Sequence, residues 1–124
     1  MESWISGSLT AADKGNLMLQ MTIESADYGS ILSLTDFLLR CFRIFIIEFH
    51  WFDHLRSRLF LNLASRAFEK LLQHHSCVHI RPNNCCGSFA YDGLEMPRVA
   101  EFLLLRNCRG LLYKYAPDFL IPAF

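Results

Sequence analysis

The sequence has no net charge, and this absence argues against two classes of partner. Its 124 residues contain 12 Lys and Arg against 12 Asp and Glu, so the formal charge at pH 7 is zero. Proteins that bind nucleic acid or anionic membrane surfaces use clustered basic residues, because phosphate groups dominate both targets. The charge balance therefore predicts that the partners include no nucleic acid and no membrane.

Long hydrophobic runs and a secretory signal are also missing. Apolar runs such as Ile44 to Ile47, bounded by Arg43 and Glu48, fall far short of the ~20 residues that a spanning helix needs. The first residues do not place a basic region before an apolar stretch, as a signal peptide would. We therefore expect a cytoplasmic protein.

The cysteines lack the pattern of a disulfide framework. They form an odd set without regular spacing: Cys41, Cys77, Cys85, Cys86 and Cys108. Reduced thiols in a cytoplasm fit such a set better than disulfides do. In contrast, 52% of the residues are apolar and 14% are aromatic, which is enough for a packed core and argues against disorder.

The first half of the chain alternates predicted strands and helices. Residues 1–16 have no periodicity and form an irregular lead-in. The run from Leu17 to Ile23 predicts a buried strand that ends near Glu24. Apolar residues at helical spacing between Ile31 and Cys41 predict a helix, which Asp27 or Ser30 can cap.

The next elements continue the alternation. Phe42 to Phe49 is rich in Ile and Phe and predicts a strand. An apolar stripe from Leu55 to Leu72 predicts a long helix, with Asp53 as its N-cap. Cys77 to Ile80 predicts a short strand that Pro82 stops.

The remaining segments are less regular. Residues 83–96, with two glycines, predict a loop. Val99 to Arg106 is compatible with a helix by propensity and with a strand by its confinement between Pro97 and the turn at residues 107–110. The tail, residues 111–124, contains one candidate strand at Leu111 to Tyr115.

Alternating strands and helices predict an α/β fold with parallel βαβ units and right-handed crossovers. A parallel sheet is normally covered by helices on both faces, yet the sequence predicts only two good helices. We therefore expect the sheet to be part of a wider sheet that includes further strands.

Four phrases carry a resemblance to a known family. They are Leu19-Gln-Met-Thr-Ile-Glu-Ser-Ala-Asp-Tyr28, Ile46-Ile-Glu-Phe-His50, Val78-His-Ile-Arg-Pro-Asn-Asn-Cys-Cys-Gly87 and Pro97-Arg-Val-Ala-Glu-Phe102. In this order they resemble the C-terminal half of methyltransferases of the FkbM type, which use S-adenosylmethionine, over residues 17–110.

The resemblance implies a partial Rossmann-like sheet of the class I methyltransferases. It implies the last four strands with two main helices, and a final strand at Pro97 to Arg106 that runs antiparallel to the others. The N-terminal half, with the Gly-rich turn that would bind S-adenosylmethionine, has no counterpart, and no Gly-x-Gly phrase follows any predicted strand. The first phrase also departs from the family pattern, with Gln20 for the usual lysine, Thr22 for the usual aspartate and Ser25 for the usual glycine.

Polar side chains follow three of the predicted strands, where open α/β sheets bind their ligands. We predict that His50 acts as a catalytic base and that Glu24 or Asp27 orients the acceptor. Asn83 and Asn84 are predicted to bind a polar or sugar-like acceptor.

Each of these residues also has a structural interpretation. Glu24 and Asp27 can cap the next helix, His50 can be a packed residue at a strand end, and Asn83-Asn84 is a turn signal. Glu48, in the middle of an apolar strand, is interpreted as structural. A metal site is not predicted, because a strand end separates His50 from His54 and adjacent cysteines are not the usual pair of zinc ligands.

Two functions from different classes follow. The first is a fragment of an FkbM-like methyltransferase that methylates a hydroxyl group of a small molecule or glycan and is inactive as this chain alone. The alternative is a non-catalytic remnant or interaction subunit that keeps only the scaffold. In either case an exposed sheet edge invites pairing with a missing N-terminal half or self-association.

Overall fold

A computed structural model describes residues 16–24 and 26–107. It is a mixed α/β domain with three α-helices, a four-stranded mixed sheet and a separate hairpin. Residues 1–15 of the irregular lead-in 1–16, Cys108 and the candidate strand at 111–115 lie outside the described residues. No helix in the described ranges is long and apolar enough to cross a membrane.

The sheet has the strand order β1-β2-β6-β3. Its strands are β1 (Leu17–Met21), β2 (Phe42–Phe49), β3 (His75–Pro82) and β6 (Ala100–Arg106). β1 pairs with β2 in parallel, whereas β6 lies between β2 and β3 and is antiparallel to both. Residues 100–106 therefore form the antiparallel strand that the resemblance implied and not the helix that local propensity allowed, because pairing with β2 and β3 outweighs that propensity.

All three α-helices connect parallel strands. α1 (Asp27–Ser33) and α2 (Asp36–Cys41) join β1 to β2, and α3 (Arg58–Leu72) joins β2 to β3. Since both crossovers advance in the same direction across the sheet, right-handedness puts their helices on one face. Contact between α1 and α3 agrees with this, and the Lys70 ammonium ties the two together by donating to the Leu32 and Leu34 carbonyls.

The core lies between this helical layer and the sheet. Along β2 the period-two alternation turns Phe45, Ile47 and Phe49 to the helices, where each is fully buried. From α3 the small residues Ala64 and Ala67 meet them, which allows the helix to approach the sheet closely.

Two predictions about the helices are wrong. The single helix expected up to Cys41 is broken at Leu34, which is extended, and the Thr35 hydroxyl accepts a hydrogen bond from the Leu38 N–H at 3.3 Å to start α2. Asp53 does not cap α3. It lies in a 3₁₀ helix, Phe52–Arg56, where its Oδ2 accepts from Arg98 Nη1 at 2.9 Å.

The predicted loop at residues 83–96 is also wrong. After a 3₁₀ turn, Asn84–Cys86, the chain forms a hairpin from β4 (Ser88–Tyr91) and β5 (Leu94–Pro97). Asp92 and Gly93 have φ of 51° and 79°, the positive values that a tight two-residue hairpin turn requires.

The prediction of reduced thiols is wrong for two of the five cysteines. In the 3₁₀ turn after β3 the sulfur atoms of Cys85 and Cys86 meet, and the structure joins them by a disulfide. Cys41 is free and buried, and Cys77 is free and exposed.

Candidate functional site

The structure brings together three of the five predicted site residues at one edge of the sheet. Asp27 begins α1 shortly after β1, His50 directly follows β2, and Asn83 directly follows β3. Because β1, β2 and β3 run in the same direction, their carboxyl ends meet at this edge.

Asp27 holds His50 through two hydrogen bonds. Its Oδ2 lies 2.9 Å from His50 Nδ1 and accepts from the His50 backbone N–H at 3.1 Å. The Asp27 side chain is completely buried, so water does not reach this carboxylate. Both of these hydrogen bonds are made with His50. A carboxylate can only accept, so Nδ1 carries a proton in this arrangement and the ring orientation is fixed.

Glu48 extends the contact to a third strand. Its Oε1 lies 3.2 Å from His50 Nε2, and its Oε2 accepts from Asn83 Nδ2 at 3.0 Å. Asp27, His50, Glu48 and Asn83 thus form one continuous polar chain, which we call the His50 cluster. It joins the carboxyl ends of three strands, with the imidazole between two carboxylates.

Tyr28 supports the cluster from the core. Its hydroxyl donates to the His50 carbonyl at 2.7 Å, while its ring packs on Phe49 and Phe60 with centroids 5.3 and 5.1 Å away. Burial raises the pKa of the Tyr28 phenol far above its ordinary value, and the nearby Asp27 charge raises it further. The hydroxyl therefore stays a hydrogen-bond donor across the physiological pH range.

The residue after His50 has an unusual backbone. Trp51 has φ 68° and ψ 33°, the left-handed region that non-glycine residues seldom adopt. This conformation turns the chain sharply from β2 into the 3₁₀ helix. The cost of such a conformation is of order 1–3 kcal/mol and is tolerated where the surroundings fix it, which here includes the clamped His50.

Glu24 and Asn84 do not join the His50 cluster. Glu24 is exposed in the turn after β1, and Asn84 is exposed in the 3₁₀ turn after β3. Asn84 does line a groove of about 330 Å³ that opens beside Asn83. Ser88 and Glu95, joined by a 2.6 Å hydrogen bond, supply further polar groups to the same groove.

The structural interpretation holds for Asn83 as a turn residue and fails for Asp27 as a helix cap. The Asn83 carbonyl oxygen Oδ1 accepts from the Cys85 N–H at 3.0 Å, so this side chain shapes the turn as well as contacting Glu48. Asp27 lies in the first turn of α1, but its side chain makes no capping hydrogen bond and is directed to His50 instead.

Sequence reasoning missed the part that Glu48 plays. The available signal was its spacing of two residues from His50, which in an extended chain puts both side chains on the same side. An acid at that spacing, at the end of an apolar strand, belongs with the histidine rather than with the core.

Residues 16–24 and 26–107 contain no group of three or more His, Cys, Asp and Glu side chains arranged to hold a metal ion. His54, weighed above as a ligand beside His50, instead packs its ring on Trp51 with centroids 5.1 Å apart.

No family model matches the chain, and no curated protein or solved structure matches it either. Its function therefore has to be argued from its own residues and geometry.

Proposed function

We propose that the chain is the C-terminal half of an FkbM-like methyltransferase that acts on a hydroxyl group of a small molecule or glycan. The observation that carries the proposal is the Asp27–His50 pair at the carboxyl edge of the sheet, which Glu48 connects to Asn83 on the wall of the groove. The antiparallel β6 is a second support, because the resemblance implies an antiparallel last strand.

In this proposal His50 takes the proton of the acceptor hydroxyl. Asp27 holds Nδ1 as a donor, which leaves Nε2 as the atom that can accept, as in the orienting logic of catalytic Asp–His pairs. Glu48 Oε1 stands 3.2 Å from Nε2 in the absence of an acceptor, and two acceptor atoms at that distance have to share a proton. Nε2 can therefore accept from the hydroxyl only after that proton has left with Glu48 and the acceptor has taken the place of Glu48 Oε1, with Glu48 Oε2 still beside Asn83.

Asn83, Asn84, Ser88 and Glu95 are the groups that would bind the acceptor. They line or border the groove and offer amide, hydroxyl and carboxylate partners, which suit a molecule rich in hydroxyl groups. Proline and methionine side chains form its apolar part, as in small-molecule sites that combine an apolar surface with a few polar groups.

The described residues do not suit a cofactor site. In the family that the chain resembles, S-adenosylmethionine supplies the methyl group from a Gly-rich turn. The turn after β1 contains no glycine, the chain after β2 reads His50-Trp51, and the first glycine after β3 is Gly87, beyond a 3₁₀ turn. The cofactor half would therefore have to come from upstream sequence or another chain. A cytoplasmic location stays part of this proposal.

A non-catalytic scaffold is the second candidate, and one observation favours it. Both ring nitrogens of His50 already face carboxylates. The His50 cluster can therefore have a purely structural role, in which it connects the ends of three strands. Thr22 in place of the family aspartate points the same way.

The test is methyl transfer by the chain expressed together with whatever polypeptide its gene encodes upstream. Labelled S-adenosylmethionine is offered with a panel of sugars and other hydroxyl acceptors. The proposal expects transfer that falls at least about 100-fold in His50→Asn, the scale of a lost general base.

The matched control is His79→Asn, because His79 is an exposed histidine on β3. It should leave the rate unchanged. Equal rates in His50→Asn and wild type would exclude His50 as the base, and no transfer with any acceptor would favour the scaffold.

A further inference from the structure

The sheet has a second face that the described helices do not cover. Both crossovers put their helices on the face of Phe45, Ile47 and Phe49. The alternation of β2 therefore turns Ile44, Ile46 and Glu48 to the opposite side. Ile44 and Ile46 are absent from the buried core and from the side chains packed against it.

Neighbouring strands continue this apolar surface. Strand pairing sets Leu105 beside Ile44 and Leu103 beside Ile46, and β1 adds Met18 beside Ile44 on its other side. Like the isoleucines, these three side chains lie outside the core. We call this surface the open face, defined by Met18, Ile44, Ile46, Leu103 and Leu105.

An open face of this composition needs a cover. Sheets with parallel strands are normally covered on both faces. Met18 is 59% exposed, and Ile44, Ile46, Leu103 and Leu105 are half-buried, so each Å² of apolar surface that they leave in water is unfavourable by roughly 25 cal/mol. Within residues 16–24 and 26–107 the core side chains of the three α-helices pack on the other face.

We propose that residues 108–124 of this same chain dock on the open face. Their composition suits it, with large apolar or aromatic side chains at Leu111, Leu112, Tyr113, Tyr115, Phe119, Leu120, Ile121 and Phe124. Residues 1–15 are a poorer cover, since their large apolar side chains are Met1, Trp4, Ile5 and Leu9. This inference does not depend on methyl transfer.

The point at which the segment leaves the sheet favours the same occupant. β6 carries Leu103 and Leu105 and leads directly to Asn107, whose N–H donates to the His74 carbonyl at 2.8 Å. The described chain therefore ends just beyond Leu105, at one end of the open face. Residues 108–124 would reach about 56–61 Å if extended and about 26 Å as a helix, and the seven residues of β6 span about 23 Å, so either form is long enough.

Photo-crosslinking from the open face in the full chain tests this docking. Leu103 is replaced by p-benzoylphenylalanine, the protein is irradiated, and the crosslinked peptides are identified by mass spectrometry. A mixture of isotopically heavy and light protein separates crosslinks within one chain from those between copies. We expect crosslinks within one chain, to residues 108–124, that persist on dilution.

The matched control puts the same group at Leu59, which is 86% exposed on α3, on the helical side of the sheet. That position should give no crosslink to residues 108–124. A second variant, Leu111→Asp with Leu112→Asp, should abolish the crosslink from position 103 while the circular dichroism spectrum is retained. If the group at position 103 prevents folding, Met18, which is 59% exposed, takes its place.

Three outcomes would overturn the proposal. Crosslinks between heavy and light chains would make a second copy the cover, crosslinks to residues 1–15 would make the leading segment the cover, and no protein crosslink at all would leave the face open to solvent.

Discussion

Asp27 is fully buried, and its Oδ2 accepts two hydrogen bonds from a single residue. In Asp27→Asn the side chain keeps its shape but loses its charge, and an amide nitrogen takes the place of one oxygen. Hydrogen bonds to a charged group contribute about 1.5–3 kcal/mol, so we expect the free energy of unfolding in urea to fall by about 1–3 kcal/mol.

Glu24→Gln is the control for Asp27→Asn. Glu24 precedes Asp27 by three residues but is exposed. Its change should stay within about 0.5 kcal/mol of wild type, as exposed substitutions usually do. A loss in Glu24→Gln as large as in Asp27→Asn would mean that the turn after β1, and not the contact with His50, is what the carboxylates stabilise.

His75 makes stability depend on pH. Its side chain is buried, with Nε2 2.9 Å from the Phe42 carbonyl and its ring against Phe45. Burial lowers the pKa of His75 below its ordinary value, and this effect outweighs the hydrogen bond to the Phe42 carbonyl, which raises it. As pH falls through about 6.5 the unfolded histidine takes up a proton and the folded one does not, so the folded state loses stability on the acid side.

The measurement is urea unfolding at a series of pH values from neutral down to the acid limit of folding. As the pH is lowered, the free energy of unfolding should fall less steeply in His75→Gln than in wild type. The glutamine keeps a donor for the Phe42 carbonyl but does not titrate. The exposed His79 provides the control, His79→Gln. A pH profile that flattens equally in both variants would contradict the assignment to His75.

At the scale of the elements, two glycines provide a test with opposite signs. Gly29 lies within α1 and an added methyl group would meet no heavy atom within 4 Å, whereas Gly93 occupies the hairpin turn with φ 79°. Gly29→Ala should raise the free energy of unfolding by about 0.5–1 kcal/mol. Gly93→Ala should lower it by about 1–2 kcal/mol, since an alanine is strained in that conformation.

Urea unfolding of the two alanine variants checks both signs, and each variant serves as the control for the other. A gain in Gly93→Ala would mean that the hairpin does not hold Gly93 at positive φ. A loss in Gly29→Ala would mean that α1 is not helical at that residue.

Elements that a single strong pattern defines were predicted well from the sequence. Phe42 to Phe49 was predicted as a strand with the bounds that β2 has, because its alternation and β-branched residues agree with its burial. The break at Leu34 was not predicted, because apolar spacing continues through it and only the Thr35 hydroxyl marks a new helix start. The hairpin was missed although Asp92-Gly93 is a strong turn signal, since its strands are short and mostly exposed.

The candidate site shows a similar division. Position after a strand was enough to find Asp27, His50 and Asn83, because parallel strands bring their carboxyl ends together. It was not enough to exclude Glu24 or to include Glu48. Which of two acids in one turn reaches the histidine depends on where α1 begins, and that start is set by packing of Tyr28 and Ile31 in the core.

At the scale of the whole molecule, the described sheet has two edges and one face without a neighbour. Within residues 16–24 and 26–107, β1 pairs only with β2, β3 pairs only with β6, and the open face carries no helix. An unpaired edge strand is a site for adding further strands. If residues 108–124 cover the face, the β1 edge remains the surface on which the proposed cofactor half would add its strands.

If this chain binds only the acceptor and another part binds the cofactor, residues 1–124 should not bind S-adenosylmethionine by themselves. The residues that the proposal assigns to chemistry, His50 and Asp27, handle the acceptor's proton, and none of the turns after the three parallel strands has the glycines of a cofactor loop. We therefore expect isothermal titration calorimetry of residues 1–124 with S-adenosylmethionine to give no binding in the micromolar range. The same titration of the chain joined to its upstream polypeptide is the control and should show binding. Micromolar affinity of residues 1–124 alone would mean that the cofactor binds within this chain, and the assignment of the carboxyl edge to the acceptor would then have to be abandoned.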